Sequence, residues 1–310
     1  MQMMDAAIAG RFKALWAIGY DVLLTNPNAA DTRRALGALD LVIVQDLFLT
    51  ETAKAFGSVF LPACSSFEKD GTFMNAERRI QRVRRAIDPV GNTRTDWSII
   101  CDLAHAMGRR DGFEFRSAQE IWDELRRVCE GARGMSYPRL EAAGLQWPCP
   151  AEDHAGTDRL HVTRFAGSER AALRCIDWRP SPEQPSASFP LMLVSGRSLY
   201  QFNAGTMSLR TPLAEIRPTD VLDIAPVDAW RLNLQDGDSV KVTSRYGEAV
   251  LPVRRTWRVA PGQAFATFHT TTVFLNNVTG PYRDSAVGTP EYKLTAVGLE
   301  RQSPRPTSGS

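Results

Sequence analysis

The sequence predicts an α/β chain in two parts, a parallel-sheet domain followed by a closed barrel of mixed strands, and three observations carry that prediction. Residues 1–147 alternate β-branched runs with helix-period segments at the spacing of crossover units. Residues 148–188 lose periodicity and gain Pro, Ser and Glu, most clearly in RPSPEQPSASFP, the composition of a connector running over a surface. Residues 189–302 read as short strands separated by tight turns, with one helix among them.

In chain order, residues 14–18 form a short apolar strand, 28–39 a helix opened by Asn28 or Asp31, 41–45 a β-branched strand, and 51–56 a helix leading to a strand at 59–61. Strands feeding helices in this way make a parallel sheet with crossover connections. Two further helices follow. Thr95 caps one, with Asp96 in its first turn, a stripe of Ile99, Ile100, Leu103 and Met107, and Gly108 at its end. Ser117 and Glu120 have the capping-box spacing ahead of Ile121, Trp122, Leu125 and Val128 on one face. Beyond the connector, strands are expected at 191–195, 239–244, 248–253 and 264–268, with turns at Arg245-Tyr246-Gly247 and Pro261-Gly262. A short helix has Pro226 at its first position, Asp228 in its first turn and Gly237 beyond its end. The terminal SPRPTSGS, residues 303–310, is expected to be disordered.

A chain of 310 residues that is 43% hydrophobic and 23% charged has the composition of a globular protein, which excludes an intrinsically disordered, collagen-like or disulfide-miniprotein class. Its 37 basic residues nearly balance 35 acidic ones, so no net field favours nucleic acid or an anionic membrane surface. Only Lys13, Lys54, Lys69, Lys241 and Lys293 are lysines, so a Lys inside a motif stands out. Cys64, Cys101, Cys129, Cys149 and Cys175 are odd in number and contain no C-x-x-C pair, which argues against a disulfide framework and for a reducing cytoplasm. The first residues lack a secretory pattern, and the apolar run 39–49 is broken by Asp40, Gln45 and Asp46, too short and polar to span a bilayer. A soluble, cytoplasmic chain is expected.

There is no P-loop, no H-E-x-x-H, no G-x-S-x-G and no G-x-G-x-x-G after a strand. The histidines, at 105, 154, 161 and 269, are scattered; His105 reads as a structural helix residue, and Cys149 with His154 has no second pair to complete a zinc site. Three stretches nevertheless have the residues of a site. FEKDGTFMNAERRIQRVRR, 67–85, follows a strand end, where open α/β sheets bind ligands, and offers Lys69, Gly71, Asn75, Arg78 and Arg79 to a phosphate or a polar heterocycle. SGRSLYQFNAGTM, 195–207, is a strand followed by a glycine-containing turn able to bring backbone N–H groups against an anion. FHTTTVFLNN, 268–277, and TPEYK, 289–293, cluster polar groups and a scarce Lys after a strand. From the residues alone, a solvated basic face and an ordinary barrel loop account for the first two equally well.

GYD at 19–21, VIVQDLFLTETA at 42–53, LPACSSFEKDGTFMNAERRIQ at 61–81, SGRSLYQFNAGTM, PGQAFATFH at 261–269 and TPEYK, in that order, resemble the C-terminal half of molybdopterin oxidoreductases of the dimethyl sulfoxide reductase family. EIWDELRRVC at 120–129 and GLQWPCP at 144–150 resemble the catalytic subunit of formate dehydrogenases within it. The resemblance implies a bis(molybdopterin guanine dinucleotide) cofactor, with molybdenum or tungsten, held between a dinucleotide-binding-like α/β domain and a double-psi β-barrel. Carried over position by position, Asp21, Gln45, Asp46, Lys69 and Asp96 contact the dinucleotide from the α/β side. Gly196, Arg197, Ser198, Gln201 and Thr206 line it from the first barrel loop, and Asn276 and Lys293 close that side. Many relatives carry His where Gln201 stands; Gln can hydrogen-bond to a pterin but cannot change charge.

The same resemblance implies that an iron–sulfur cluster and the Cys or selenocysteine ligand to the metal belong to a preceding half, since none of the five Cys falls in such a pattern. The expected partner is therefore that iron–sulfur and metal-ligand half as a separate polypeptide, with electron-transfer subunits, and no catalytic or metal-ligating residue is assigned in this chain. Formate oxidised to carbon dioxide, with two electrons passed to the cluster, is the implied reaction, and inactivity of this chain alone is expected. A non-catalytic cofactor-binding or interaction module, and part of a nitrate-reductase-like molybdoenzyme, are the alternatives.

Overall fold

The computed structural model describes residues 1–165 and 167–302, so the disorder expected of 303–310 lies outside the described residues. The described residues pack as two compact units, 1–60 with 178–302, and those between 61 and 177. This is not the linear grouping drawn from the sequence: the first sixty residues pack with the barrel, because side chains of the barrel loops are bonded to them, as described below.

In the first unit, strand β1 (Ala14–Ile18) runs parallel to β2 (Leu41–Asp46), from Ala14 opposite Leu41 to Ile18 opposite Gln45, and β3 (Val59–Pro62) pairs with the other edge of β2. The crossovers are helical. Asn28 caps the helix Ala29–Gly37 by accepting from Asp31 N, and Thr50 caps Glu51–Phe56 by accepting from Ala53 N. Leu15, Ala17, Leu23, Ala35 and Leu36 form the buried layer against the sheet. Met4 and Ala7 join that layer from a helix, Gln2–Ile8, that the sequence reading did not anticipate.

The unit 61–177 holds an antiparallel sheet of β4 (Gly71–Met74), β5 (Arg79–Val83) and β6 (Leu145–Gln146). The segment 67–85, read as a ligand loop or a solvated face, is therefore largely a hairpin. Its turn is held by Asn75, whose Oδ1 accepts from the backbone N of Glu77 and of Arg79. Helices Asp96–Ala106 and Ala118–Val128 are present, the second capped by Ser117 as its spacing predicts, with Arg116 N donating to Glu120. Thr95 occupies the cap position without making the side-chain bond. The predicted stripes are only partly buried: Ile99 and Trp122 are, whereas Met107 and Val128 are 73% and 83% exposed. Glu68 latches this unit. Its carboxylate accepts from Ser65 N at 2.8 Å and Val90 N at 2.6 Å, and bonds from the Ser65 side chain and these backbone groups hold its pKa down to about 2.

Six strands close the barrel: β7 (Leu191–Gly196), β8 (Leu222–Ile224), β9 (Ser239–Thr243), β10 (Glu248–Arg255), β11 (Gln263–Thr267) and β12 (Leu294–Arg301). Their order around it is β10-β8-β11-β7-β12-β9, with β10–β8 and β11–β7 parallel and the other pairs antiparallel. This is the mixed closed barrel expected. Alternation explains it: Val240 and Val242, Ala249, Leu251 and Val253, and Ala264 and Ala266 all point inward from period-2 strands. The connector departs from a surface path at Glu183, which is 1% exposed, accepts from Tyr246 Oη at 2.6 Å and Ala296 N at 2.8 Å, and pairs with Arg245.

Under the first barrel loop, Asp220 and His269 are fully buried side by side. His269 Nδ1 lies 2.7 Å from Asp220 Oδ1, while Asp220 also accepts from His269 N, Thr270 N and Thr270 Oγ1. Burial works against this charge, but donation from His269 and Thr267 outweighs it and holds the carboxyl below its ordinary value. The carboxylate thereby fixes the chain just beyond β11 to the chain just before β8.

Two outcomes are expected. Asp220→Asn breaks a buried charged network and lowers stability by about 3–5 kcal/mol, read by chemical denaturation; a loss under about 1 kcal/mol would refute the network's role. Glu68 has a depressed folded pKa, so its contribution is full above the ordinary value of 4.5 and is lost as pH falls from there towards about 2. Glu68→Gln should flatten the acid limb of a pH–melting curve followed by tryptophan fluorescence, and an unchanged acid limb would show that Glu68 does not set it.

Candidate functional site

The carboxyl ends of β1 and β2 open onto the barrel loops of the same unit, and a cleft of about 480 Å³ lies there, within the size class of small-molecule sites. β1 ends in Gly19, whose φ of 61° makes the turn that a side chain would strain, and Gly19 N donates to Gln45 O at 2.8 Å. Tyr20, Asp21 and Thr25 follow it into the wall, and β2 contributes Asp46 with Leu47 beyond it. From the barrel come Arg197, Phe202, Asn203, Ala204, Thr206 and Met207 after β7, Phe268 after β11, and Tyr292 and Lys293 before β12.

Of the residues carried over from the sequence, Asp21, Asp46, Arg197, Thr206 and Lys293 line this cleft. They differ in what they can offer. Both Asp21 oxygens are engaged inside the protein: Oδ1 accepts from Thr52 Oγ1 at 2.6 Å, Thr52 N at 3.1 Å and Leu24 N at 3.4 Å, and Oδ2 from Glu51 N at 3.0 Å. Asp21 thus holds the starts of two helices, Val22–Thr25 and Glu51–Phe56, in the way negative charge favours helix N-termini. Asp46 makes one short bond, accepting from Leu47 N at 2.7 Å. Burial, helped by the nearby Asp21 charge, raises its pKa despite the Leu47 and Phe48 amides. Lys293 is aimed by its Nζ donating to Ser195 O at 3.2 Å and by the Phe268 ring 5.7 Å away, and Ser195 Oγ donates to Tyr292 O at 2.7 Å. Tyr20 donates to Asn26 at 3.0 Å, and burial together with the Tyr20 phenol pushes the Tyr292 hydroxyl up to about 12, which keeps it a neutral donor.

The remaining expected residues act from behind or elsewhere. Gln45, fully buried, is the next-to-last residue of β2 and does not line the cleft. Asn276, 4% exposed, donates to Leu24 O at 2.9 Å and Thr25 O at 3.2 Å. Gly196 ends β7 where an added Cβ would stand 2.4 Å from the Phe265 ring, so its size is set by packing. Gln201 corrects the expectation of a lining group: it is 3% exposed, Nε2 donates to Leu213 O and Arg217 O, and Oε1 accepts from Ser208 Oγ, so it braces its own loop. Ser198 lines a different concavity of the barrel. Lys69 and Asp96 belong to the unit 61–177, where they form an ion pair with each other and line a separate aromatic cavity with Trp97 and Trp122.

Sequence reasoning missed Asp220 as a loop anchor and missed Tyr20, Phe202, Met207 and Tyr292 as wall residues. Proximity to the quoted motifs was the available signal for the four wall residues; Asp220 gave none, since its partner His269 is 49 positions away. Chemically, the cleft sets a carboxylate able to accept from N–H groups among aromatic walls, with Arg197 and Lys293 supplying positive charge. That donor set fits a purine dinucleotide: a guanine edge for Asp46, ring surfaces for Phe202 and Phe268, and phosphate oxygens for the cations.

The comparisons with known proteins agree with this chemistry. Residues 1–106 match the molybdopterin oxidoreductase family, and residues 191–296 match the molybdopterin dinucleotide binding domain. The chain is 38% identical over 291 residues to the F420-dependent formate dehydrogenase subunit alpha of Methanocaldococcus jannaschii, covering 93% of this chain and 43% of that protein. It is 34% identical over 309 residues to the assimilatory nitrate reductase catalytic subunit of Bacillus subtilis, covering 96% and 43%. Acetylene hydratase from Pelobacter acetylenicus shares the fold, with a TM-score of 0.74 at 17% identity, over 97% of this chain and 46% of that one. The chain thus spans under half the length of the relatives it matches. Among the described residues, no helix is long and apolar enough to cross a membrane. Both family matches fall on the segments that build the cleft, and the chain belongs to the molybdopterin oxidoreductases of the dimethyl sulfoxide reductase family.

Proposed function

We propose that this chain holds the guanine dinucleotide of a bis(molybdopterin guanine dinucleotide) cofactor for a formate dehydrogenase. The observation that carries the reading is the cleft itself, with Asp46 as an acceptor for guanine N–H groups and Arg197 and Lys293 as partners for the pyrophosphate. When bound, the cofactor supplies the two-electron chemistry at its molybdenum or tungsten. What this chain's residues do is bind and orient: Asp21 and Asn276 fix the α/β wall, Gln201 and Asp220 fix the barrel loop, and the aromatic side chains exclude water from the ring faces.

Formate as substrate is supported by the names of several relatives, among them the F420-dependent subunits of methanogens and putative formate dehydrogenases of Staphylococcus aureus. A nitrate-reductase-like role is the second reading, supported by the similarity to the Bacillus subtilis enzyme. With formate the two electrons leave through an iron–sulfur cluster, and with nitrate as substrate they arrive through it; in either case the cluster and the metal ligand are held by a partner polypeptide in the cytoplasm. The chain alone is then a binding protein. Purified by itself, it should turn over no formate with an artificial electron acceptor, and turnover without any partner would refute this division of labour.

Asp46 gives the binding a pH signature. Accepting from guanine requires the ionised carboxylate, while burial makes that form harder to reach, so guanine nucleotide binding should take up no proton at high pH, release one as pH falls into the raised range, and weaken below it. Without ligand the sign for stability is opposite: the folded state binds the proton more tightly than the unfolded chain, so stability rises as pH falls through the window above the ordinary value of 3.8. Calorimetric titration with GMP between about pH 8 and about pH 5 reads the first effect. Asp46→Asn should weaken binding about ten-fold or more at high pH and remove its pH dependence; a variant with wild-type affinity and profile would take Asp46 out of the guanine site.

A further inference from the structure

The sheet of β4, β5 and β6 has two edges, and the chain treats them differently. Beyond β6, Thr157 N donates to Gln146 O at 3.0 Å, so a later segment of the same unit covers that edge. Beyond β4 no strand follows. The register says which groups are left there. Asn75 N donates to Arg79 O at the hairpin end, so alternation turns the peptide groups of Gly71 and Phe73 towards β5 and those of Thr72 and Met74 the other way. Among the described residues, no hydrogen bond reaches the outward N–H and C=O groups of Thr72 and Met74. An exposed edge is ordinarily blunted by a lysine, a proline or a bulge. Gly71-Thr72-Phe73-Met74 has none of these, and its register with β5 is unbroken.

An apolar groove adjoins this edge. β4 and the helix Ala118–Val128 wall two hollows, of about 320 and 380 Å³, that share Thr72, Phe73, Trp122 and Leu125. On the strand itself Phe73 is 56% exposed and Met74 62%, more apolar surface than a covered edge would leave in water. We propose that a second copy of this chain pairs here, β4 against β4 in antiparallel register across a two-fold axis at Phe73. A row of extended, unpaired peptide groups is satisfied in full only by another extended strand, and β4 is itself a strand with the same need. The register that sets Thr72 of one copy opposite Met74 of the other engages the outward groups of both, each such pair exchanging both of its N–H···O bonds. It also brings Met74 of the second copy beside Thr72, on the wall the two hollows share, where a flexible thioether packs well on the Trp122 ring. No charged residue lies within β4, and in this register Lys69 falls opposite Glu77 and Asp70 opposite Ala76, so the copies meet without like-charge repulsion. The inference goes beyond the cofactor reading and does not depend on it, because this edge belongs to the unit 61–177 and the cleft to the other.

The test is sedimentation equilibrium of the full chain over a dilution series, with amide hydrogen exchange read on the same samples, for the wild type, Thr72→Pro, Met74→Lys and Trp257→Ser. Proline at 72 removes an outward N–H and leaves the bonds to β5 in place, the arrangement in which edge strands tolerate it. Met74→Lys keeps the whole backbone and decides the matter if the proline variant fails to fold. The wild type should form a dimer, with the Thr72 and Met74 amides gaining protection as concentration rises while the Phe73 amide is protected throughout. Either strand variant should weaken association about ten-fold or more, since a change at a two-fold interface acts twice. Trp257, 88% exposed in the other unit, should be replaceable without effect. A wild type that is monomeric throughout, a dimer that both strand variants leave unchanged, or one that Trp257→Ser disrupts instead overturns the proposal. Protection of Thr72 and Met74 that appears only when another polypeptide is added overturns it too, and makes the edge a docking strand for a different protein.

Discussion

The cleft depends on a small stitch between a barrel loop and the end of a four-residue helix. Leu24 and Thr25 close the helix Val22–Thr25, and their carbonyls have no successor turn to bond to them. Asn276 supplies both bonds from one buried amide, and Thr279 Oγ1 accepts from Asn28 N at 3.0 Å one turn further on. Arg33 reaches Asn277 at 2.7 Å and Arg283 pairs with Asp5, so the seam runs along most of the α/β segment. A buried amide left without its carbonyls costs more than the bond contributes when made, which makes the seam sensitive to any change on either side. Asn276 therefore shapes a site it does not line, through Thr25, which does.

Asp21 and Asp46 illustrate how environment divides two like residues. They end adjacent parallel strands and share a wall, yet Asp21 collects four donors and is spent on structure, while Asp46 collects few, is buried nearly as deeply, and carries a raised pKa. Three of the donors to Asp21 fall on Oδ1 and one on Oδ2, so little of its acceptor capacity is left for a ligand. An undersaturated carboxylate beside it is the group a guanine edge can satisfy, and the Asp21 charge that makes Asp46 costly to ionise without ligand also sharpens the gain when donors arrive.

Much of this was legible in the sequence where a period or a cap dictated it. Alternation in residues 239–267 fixed the inward faces of β9, β10 and β11, and Asn28, Thr50 and Ser117 open helices as their side chains require. Elements set by long-range pairing were not. β8 is three residues long and owes its existence to partners β10 and β11, and the hairpin β4–β5 was hidden because its charged residues look like a loop. The apolar stripes 99–107 and 121–128 have helix period but are half exposed, since period specifies a face and not whether anything covers it.

The site shows the same limit more sharply. Of the residues that the family resemblance named, Asp21, Asp46, Arg197, Thr206 and Lys293 line the cleft, but the resemblance could not say which way a side chain turns. Gln201 sits in the middle of the quoted loop motif and points inward, its amide joining Leu213 O to Arg217 O. The same Arg217 carbonyl is 3.3 Å from His269 Nε2, whose other ring nitrogen faces Asp220. One backbone carbonyl thus gathers a neutral amide from the loop and a carboxylate-backed imidazole from the end of β11, and the position of that carbonyl sets where Arg217 leaves the loop. Since Gln201 donates where an imidazole could donate only once, the amide holds two carbonyls of the loop at a stroke. A His at 201 would have to release one of them, and the cost of doing so is a physical reason for Gln at this position that requires no proton transfer.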